Sequence, residues 1–276
     1  MRPDDLLSLC LASQPATVPD EVWASWSFAF EVVLPLLLVP VLYAFGLMAL
    51  RRRAGAEAVR PWQIACFAAG WLALVIALVS PLCRMAATLA AAHMVQHVIL
   101  VAVAPPLLVL GTASIFGSVP RGLGRWLATP MVASLIYGVA IWFWHAPLPY
   151  QAALLSEGFH LLMYATLIGA ALLFWRSLIA PTWLEPDRYG GAVLSALATT
   201  IHTGLLGALL TFAPAPWYPL LETRAASWGL SALEDQQLAG LIMWVPMGSI
   251  YLVGSVALMA AWLGAIERRR ARSGAS

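Results

Sequence analysis

The sequence predicts an all-α polytopic membrane protein, a seven-helix transmembrane bundle with its N-terminus outside and its C-terminus cytoplasmic. Three observations carry that expectation. Of 276 residues, 62% are hydrophobic and 10% charged, whereas a soluble domain is about 45–50% apolar and about 25% charged. The mean hydropathy is +0.83. The apolar residues fall in long unbroken runs rather than the ~10-residue alternating strands of an outer-membrane barrel.

In chain order the expected spans are 28–50, 62–82, 89–110, 130–145, 158–175, 190–212 and 237–263. The fourth stops at Ala146-Pro147, because proline cannot continue a helix and restricts the residue before it. The fifth follows Ser156-Glu157, an N-cap and a first-turn acid. The seventh follows Ser231 and Glu234, spaced as a capping box. Short connections and the lack of a repeat or soluble insert imply one domain, 28–263, packed antiparallel. Residues 1–27 are expected as an exposed amphipathic lead-in. Asp4 and Asp5 stand where a signal peptide would be basic, and Leu6–Ala12 is a short apolar run. Residues 264–276 form a basic tail.

Arginine placement sets the orientation. All 15 basic residues are arginine. Arg51, Arg52, Arg53 and Arg60 follow the first span, Arg121 and Arg125 the third, Arg176 and Arg188 the fifth, and Arg268, Arg269, Arg270 and Arg272 the seventh. Only Arg2, Arg84 and Arg224 fall on the other side, so the positive-inside rule makes the arginine-rich side cytoplasmic. A net charge of +2 gives no reason to expect a nucleic-acid partner. Cys10, Cys66 and Cys83 are too few and too irregular for a disulfide framework or a CxxC metal motif.

His93-Met-Val-Gln96-His97 is the stretch that points to function. Positions i and i+4 lie one above the other on a helix, so two imidazoles share a face, and ionisable groups in a span mark pathways, ligands or cofactors. In the expected orientation all five histidines lie in the outer half: His93 and His97 early in the third span, His145 at the end of the fourth, His160 in the first turn of the fifth, and His202 ~15 Å deep in the sixth. Each also has an ordinary role open to it. The HxxxH pair could hydrogen-bond between helices, His145 could cap its helix, His160 could meet interfacial water, and Ser195 and Thr199 could partner His202. In the seventh span Gln236, Gly240, Met243 and Met247 share a face. Met243 is either core packing or a soft ligand, and Asp235 a ligand, a gate or an acceptor for an imidazole N–H. Glu31 and Cys83-Arg84-Met85 are possible residues of an access path.

The chemistry narrows by exclusion. HxxxH lacks the glutamate of the hydrolytic HExxH motif. Magnesium or calcium would want more carboxylates, and CxxCH, which attaches c-type haem, does not occur. Histidines with nearby methionine favour copper over zinc; haem b on paired axial histidines is the alternative, and a histidine-lined channel a third.

The ordered motifs His93–His97 with Ala104-Pro-Pro-Leu-Leu-Val-Leu-Gly111, Trp144-His145-Ala-Pro147, His160-Leu-Leu-Met-Tyr164, Gly207-Ala-Leu-Leu-Thr-Phe212 and Glu234-Asp-Gln-Gln-Leu-Ala-Gly-Leu-Ile-Met-Trp244 resemble the seven-span CtaG-type cytochrome c oxidase assembly factors of caa-type systems. The resemblance implies a non-enzymatic assembly protein of the bacterial cytoplasmic membrane. Such a protein would handle copper for a haem–copper oxidase subunit, as a monomer or a homo-oligomer. The matching positions are His93, His97, His145, His160, His202 and Asp235.

Overall fold

The computed structural model describes residues 6–115, 122–184, 189–221 and 223–273; Arg2, Asp4, Asp5, Arg121 and Arg188 lie outside the described residues. Every regular element described is helical. We number the principal helices α1 (Phe30–Ala54), α2 (Pro61–Val79), α3 (Pro81–Ala86), α4 (Ala90–Thr112), α5 (Pro130–His145), α6 (Pro147–Leu155), α7 (Glu157–Leu184), α8 (Tyr189–Thr211) and α9 (Ala232–Arg268). Six of them are long and apolar enough to cross a membrane, and α5 with α6, bent by 74° at Ala146, passes the same test only as a pair, which gives six to seven candidate spans among the described residues. The polytopic helical architecture agrees with the sequence expectation, and the bend falls at the predicted Ala146-Pro147 stop.

Helix starts follow local rules. Proline opens α2, α3, α5 and α6, where its missing N–H is harmless. Ser231 and Glu234 form the expected capping box: the Glu234 N–H donates to Ser231 Oγ at 3.2 Å and the Ser231 N–H to Glu234 Oε2 at 2.8 Å.

Internal prolines set a harder condition. A proline strips the partner from the carbonyl four residues back, and no water replaces it inside a bilayer. Opposite Pro40, the Leu36 carbonyl accepts from Trp71 Nε1 at 2.8 Å. Opposite Pro105, the Val101 carbonyl accepts from Trp175 Nε1 at 2.9 Å. Helix ends leave carbonyls open in the same way: in the last turn of α2 the Ala77 carbonyl accepts from Gln96 Nε2 at 2.8 Å, and at the end of α5 the His145 carbonyl accepts from the Tyr218 hydroxyl at 2.8 Å. Each donor belongs to a different segment, so these open carbonyls become points at which segments are joined. Both π-helical turns, Ile99–Val103 in α4 and Met243–Met247 in α9, also sit beside prolines.

Glycines provide the close approaches that lipid-embedded packing favours. A Cβ on Gly111 would lie 2.6 Å from the Phe67 backbone nitrogen, and one on Gly240 would lie 2.6 Å from the Gly207 carbonyl. The second contact sets α9 against α8.

Two features depart from the sequence reading. Cys10 and Cys83 form a disulfide, because pairing depends on where the fold brings the sulfurs and not on their spacing. It closes a 73-residue separation, a restraint of about 4 kcal/mol on the loop-entropy estimate. Of the expected exposed lead-in, 1–27, the described residues 6–27 fold onto the bundle with Leu9, Cys10, Leu11, Thr17 and Ser27 buried, while Leu7 and Trp23 stay exposed.

Gly240→Ala is expected to destabilise the protein by about 1–3 kcal/mol, read as a lower melting temperature in detergent. Gly169→Ala, whose new methyl meets nothing within 4 Å, should leave it unchanged. Equal melting temperatures for the two variants would contradict the close-contact role.

Candidate metal centre

His93 and His97 lie on α4 with ring centroids 4.3 Å apart and the rings tilted by 56°, the close approach that an i, i+4 pair on a helix allows. The His97 ring meets His145, at the end of α5, edge-on at 5.6 Å. His160, in the first turn of α7, stands within electrostatic range of both His93 and His97. Four of the five histidines are thus gathered from three helices, and none is more than 3% exposed.

Three of the four are pinned the same way. His93 Nδ1 bonds the Ala86 carbonyl at 3.2 Å, His145 Nδ1 the Ile141 carbonyl at 2.7 Å and His160 Nδ1 the Ala153 carbonyl at 2.9 Å. A carbonyl only accepts, so Nδ1 carries the proton, and in the neutral ring Nε2 is a bare lone pair. Ala86 ends α3 and Ala153 lies in the last turn of α6, where helices leave carbonyls open. The local fold therefore fixes tautomer and aim together, as backbone carbonyls do for metal-bound imidazoles. Nε2 of His93, His145 and His160, and both nitrogens of His97, are buried without a hydrogen-bond partner. His97 is the one ring of the set not pinned.

The surroundings add polar atoms that the sequence reading missed. The Tyr150 ring packs against His93 at 5.0 Å, and its hydroxyl is buried without a partner. Tyr164 lies against His160 at 4.5 Å and accepts from Gln96 Nε2 at 3.0 Å. Tyr218 packs on Tyr150 at 4.1 Å with the rings tilted by 31°, and burial raises its pKa above the ordinary phenol value, keeping it a donor to the His145 carbonyl. Tyr150 and Tyr218 follow proline-rich stretches, which was the available signal.

The remaining predicted residues fall elsewhere. His202 lies on α8 in a notch of α5, with Nε2 3.3 Å from where a Cβ on Gly138 would sit. Both of its nitrogens lack partners. The polar stripe expected to serve it bonds to other groups: Thr199 to Ser134 at 2.9 Å and Ser195 to Met131 Sδ at 3.2 Å. Met243 is fully buried in the apolar core that also holds Met94 and Met247. Glu31 is exposed on α1, Cys83 is in the disulfide, and Arg84 donates to Ser8 Oγ at 3.3 Å.

Asp235 caps a neighbouring helix. From α9 its two oxygens accept the Ala90 N–H at 2.7 Å and the Ala91 N–H at 3.0 Å. These are open donors at the start of α4, where a carboxylate also suits the helix dipole. Asp235 therefore fixes the helix that carries His93 and His97, and the Gly240–Gly207 contact fixes Asp235. Among the described residues, no three His, Cys, Asp or Glu side chains stand close enough together to hold a metal ion as placed.

Asp235→Ala is expected to cost about 1–3 kcal/mol, the penalty for leaving two buried donors unpaired. It should also speed amide hydrogen exchange at Ala90 and Ala91. Met243→Leu should cost under about 1.5 kcal/mol. Unchanged exchange in the Asp235 variant would remove the capping role.

A family model described as cytochrome c oxidase caa3 assembly factor matches residues 41–265. No curated protein and no solved structure matches the chain. The match takes in α2 to α8, all five histidines, Asp235 and both glycine contacts. The chain belongs to the cytochrome c oxidase caa3 assembly factor family.

Proposed function

We propose that this assembly factor handles copper as cargo at His93, His97, His145 and His160 and passes it to a haem–copper oxidase subunit, without catalysing a reaction. The observation that carries this reading is the set of buried, unpaired imidazole nitrogens, three of them presented as bare Nε2 lone pairs by Nδ1–H···O=C bonds. Burying such groups without partners costs free energy, and a soft or borderline metal that prefers imidazole recovers it. Copper(I) accepts as few as two ligands, which suits His93 and His97, the latter with neither nitrogen engaged. Reversible binding is what a carrier requires.

The same reading places the histidine end of the bundle outside and the C-terminus in the cytoplasm of a bacterial cell. The arginine distribution supports it, and so does the Cys10–Cys83 disulfide at the histidine end, since disulfides persist in oxidising compartments. Haem b is the less favoured ligand: a porphyrin needs a flat slot between its axial rings, and the edge-on contact of His97 with His145 suits a small ion better.

The double variant His93→Ala/His97→Ala is expected to lose copper retention while staying folded in detergent, and His202→Ala to keep it. Copper analysis of the purified proteins decides the matter, and an unchanged stoichiometry in the double variant would overturn the site.

A further inference from the structure

The four histidine rings are closed off from solvent, so a cation reaches them only if something moves. The segment bonded beside the cluster is residues 6–29, which lie before the region matched to the family, 41–265. Its contacts fall beside the carbonyls that aim the histidines. The Ala12 N–H donates to the Leu154 carbonyl at 2.8 Å, and Leu154 follows Ala153, which pins His160. Arg224 donates from Nε to the Ala87 carbonyl at 3.0 Å, and Ala87 follows Ala86, which pins His93. The same guanidinium grips the segment, donating to the Ala12 carbonyl at 2.9 Å and the Gln14 carbonyl at 3.1 Å. Thr17 is held twice: its N–H donates to Thr88 Oγ1 at 3.0 Å, and its carbonyl accepts from Trp228 Nε1 at 2.8 Å. The Cys10–Cys83 disulfide then bonds the segment to α3, the helix that ends at Ala86.

We propose that residues 6–29 are a cross-linked lid that gates cation access to the histidine cluster from the end of the bundle at which the chain begins, with Arg224 as its pin. The segment is anchored covalently at Cys10 and by the chain itself at α1. Between those anchors it is held by hydrogen bonds from side chains and backbone, which can part in turn. Lifting it does two things at once. It uncovers the rings, and it slackens the backbone at Ala86 and Ala153, so that binding and release are tied to one movement. The inference rests on the reading of these histidines as a cation site.

The test is the rate at which diethyl pyrocarbonate modifies each histidine, followed by mass spectrometry on the full-length protein in detergent. In Cys10→Ala/Cys83→Ala and in Arg224→Gln, modification of His93, His97, His145 and His160 is expected to be at least tenfold faster than in the unaltered protein. His202, lodged between α5 and α8, should react at its original rate. Unchanged rates at the cluster overturn the lid, and so does a parallel rise at His202, which would mean general loosening. Arg224→Gln keeps the cross-link and supplies the test should the cysteine variant fail to fold. Copper(I) release to a chelator gives a second readout: at equal stoichiometry both variants should release at least tenfold faster, and equal release rates overturn the gate. Should the unaltered protein bind no copper, the copper reading falls while the modification rates still decide the lid.

Discussion

Inside a bilayer every backbone N–H and C=O needs a partner within the protein, and this chain meets part of that demand with side chains. Internal prolines and helix ends leave carbonyls open in it. Trp71, Gln96, Trp175 and Tyr218 take four of these. The bonds run between segments, so what a proline or a helix end leaves open becomes an attachment for another segment. Helices in lipid gain little from apolar contact with each other, and these bonds, with the Gly207–Gly240 approach, define their relative placement.

The histidine cluster is built by the same rule. Two of its rings take carbonyls in the terminal turns of α3 and α6, and a third takes a carbonyl one turn back in α5. Asp235 takes the opening N–H groups of α4. Satisfying the backbone uses one nitrogen of each pinned ring and leaves the other bare. Structural anchoring and the proposed ligand presentation would therefore be two ends of the same imidazole, so the ordinary capping role of His145 does not compete with the ligand role.

Much of the fold was legible because it depends on local patterns: long apolar runs, the Ser231–Glu234 box, the Ala146-Pro147 stop. The grouping of His93 with His97 was legible as well, since four residues make one helical turn. Three-dimensional pairings were not. Cys10 and Cys83 meet across 73 residues of chain. Asp235 reads in sequence as a ligand, a gate or an acceptor for an imidazole N–H, yet its oxygens accept the opening N–H groups of α4. Depth alone placed His202 with the other histidines, but depth says nothing of direction around a helix axis, and its ring turns to Gly138. The pairing of Pro40 and Pro105 with Trp71 and Trp175 was present in the sequence only as an excess of prolines and tryptophans.

The central claim is that bare imidazole nitrogens at one end of the bundle form a copper site. Copper K-edge X-ray absorption on the copper-loaded protein tests it most directly. The account predicts a first shell of imidazole nitrogens with the outer-ring scattering of histidine. A first shell dominated by sulfur would contradict it, because the cysteine and methionine sulfurs lie outside the proposed ligand set.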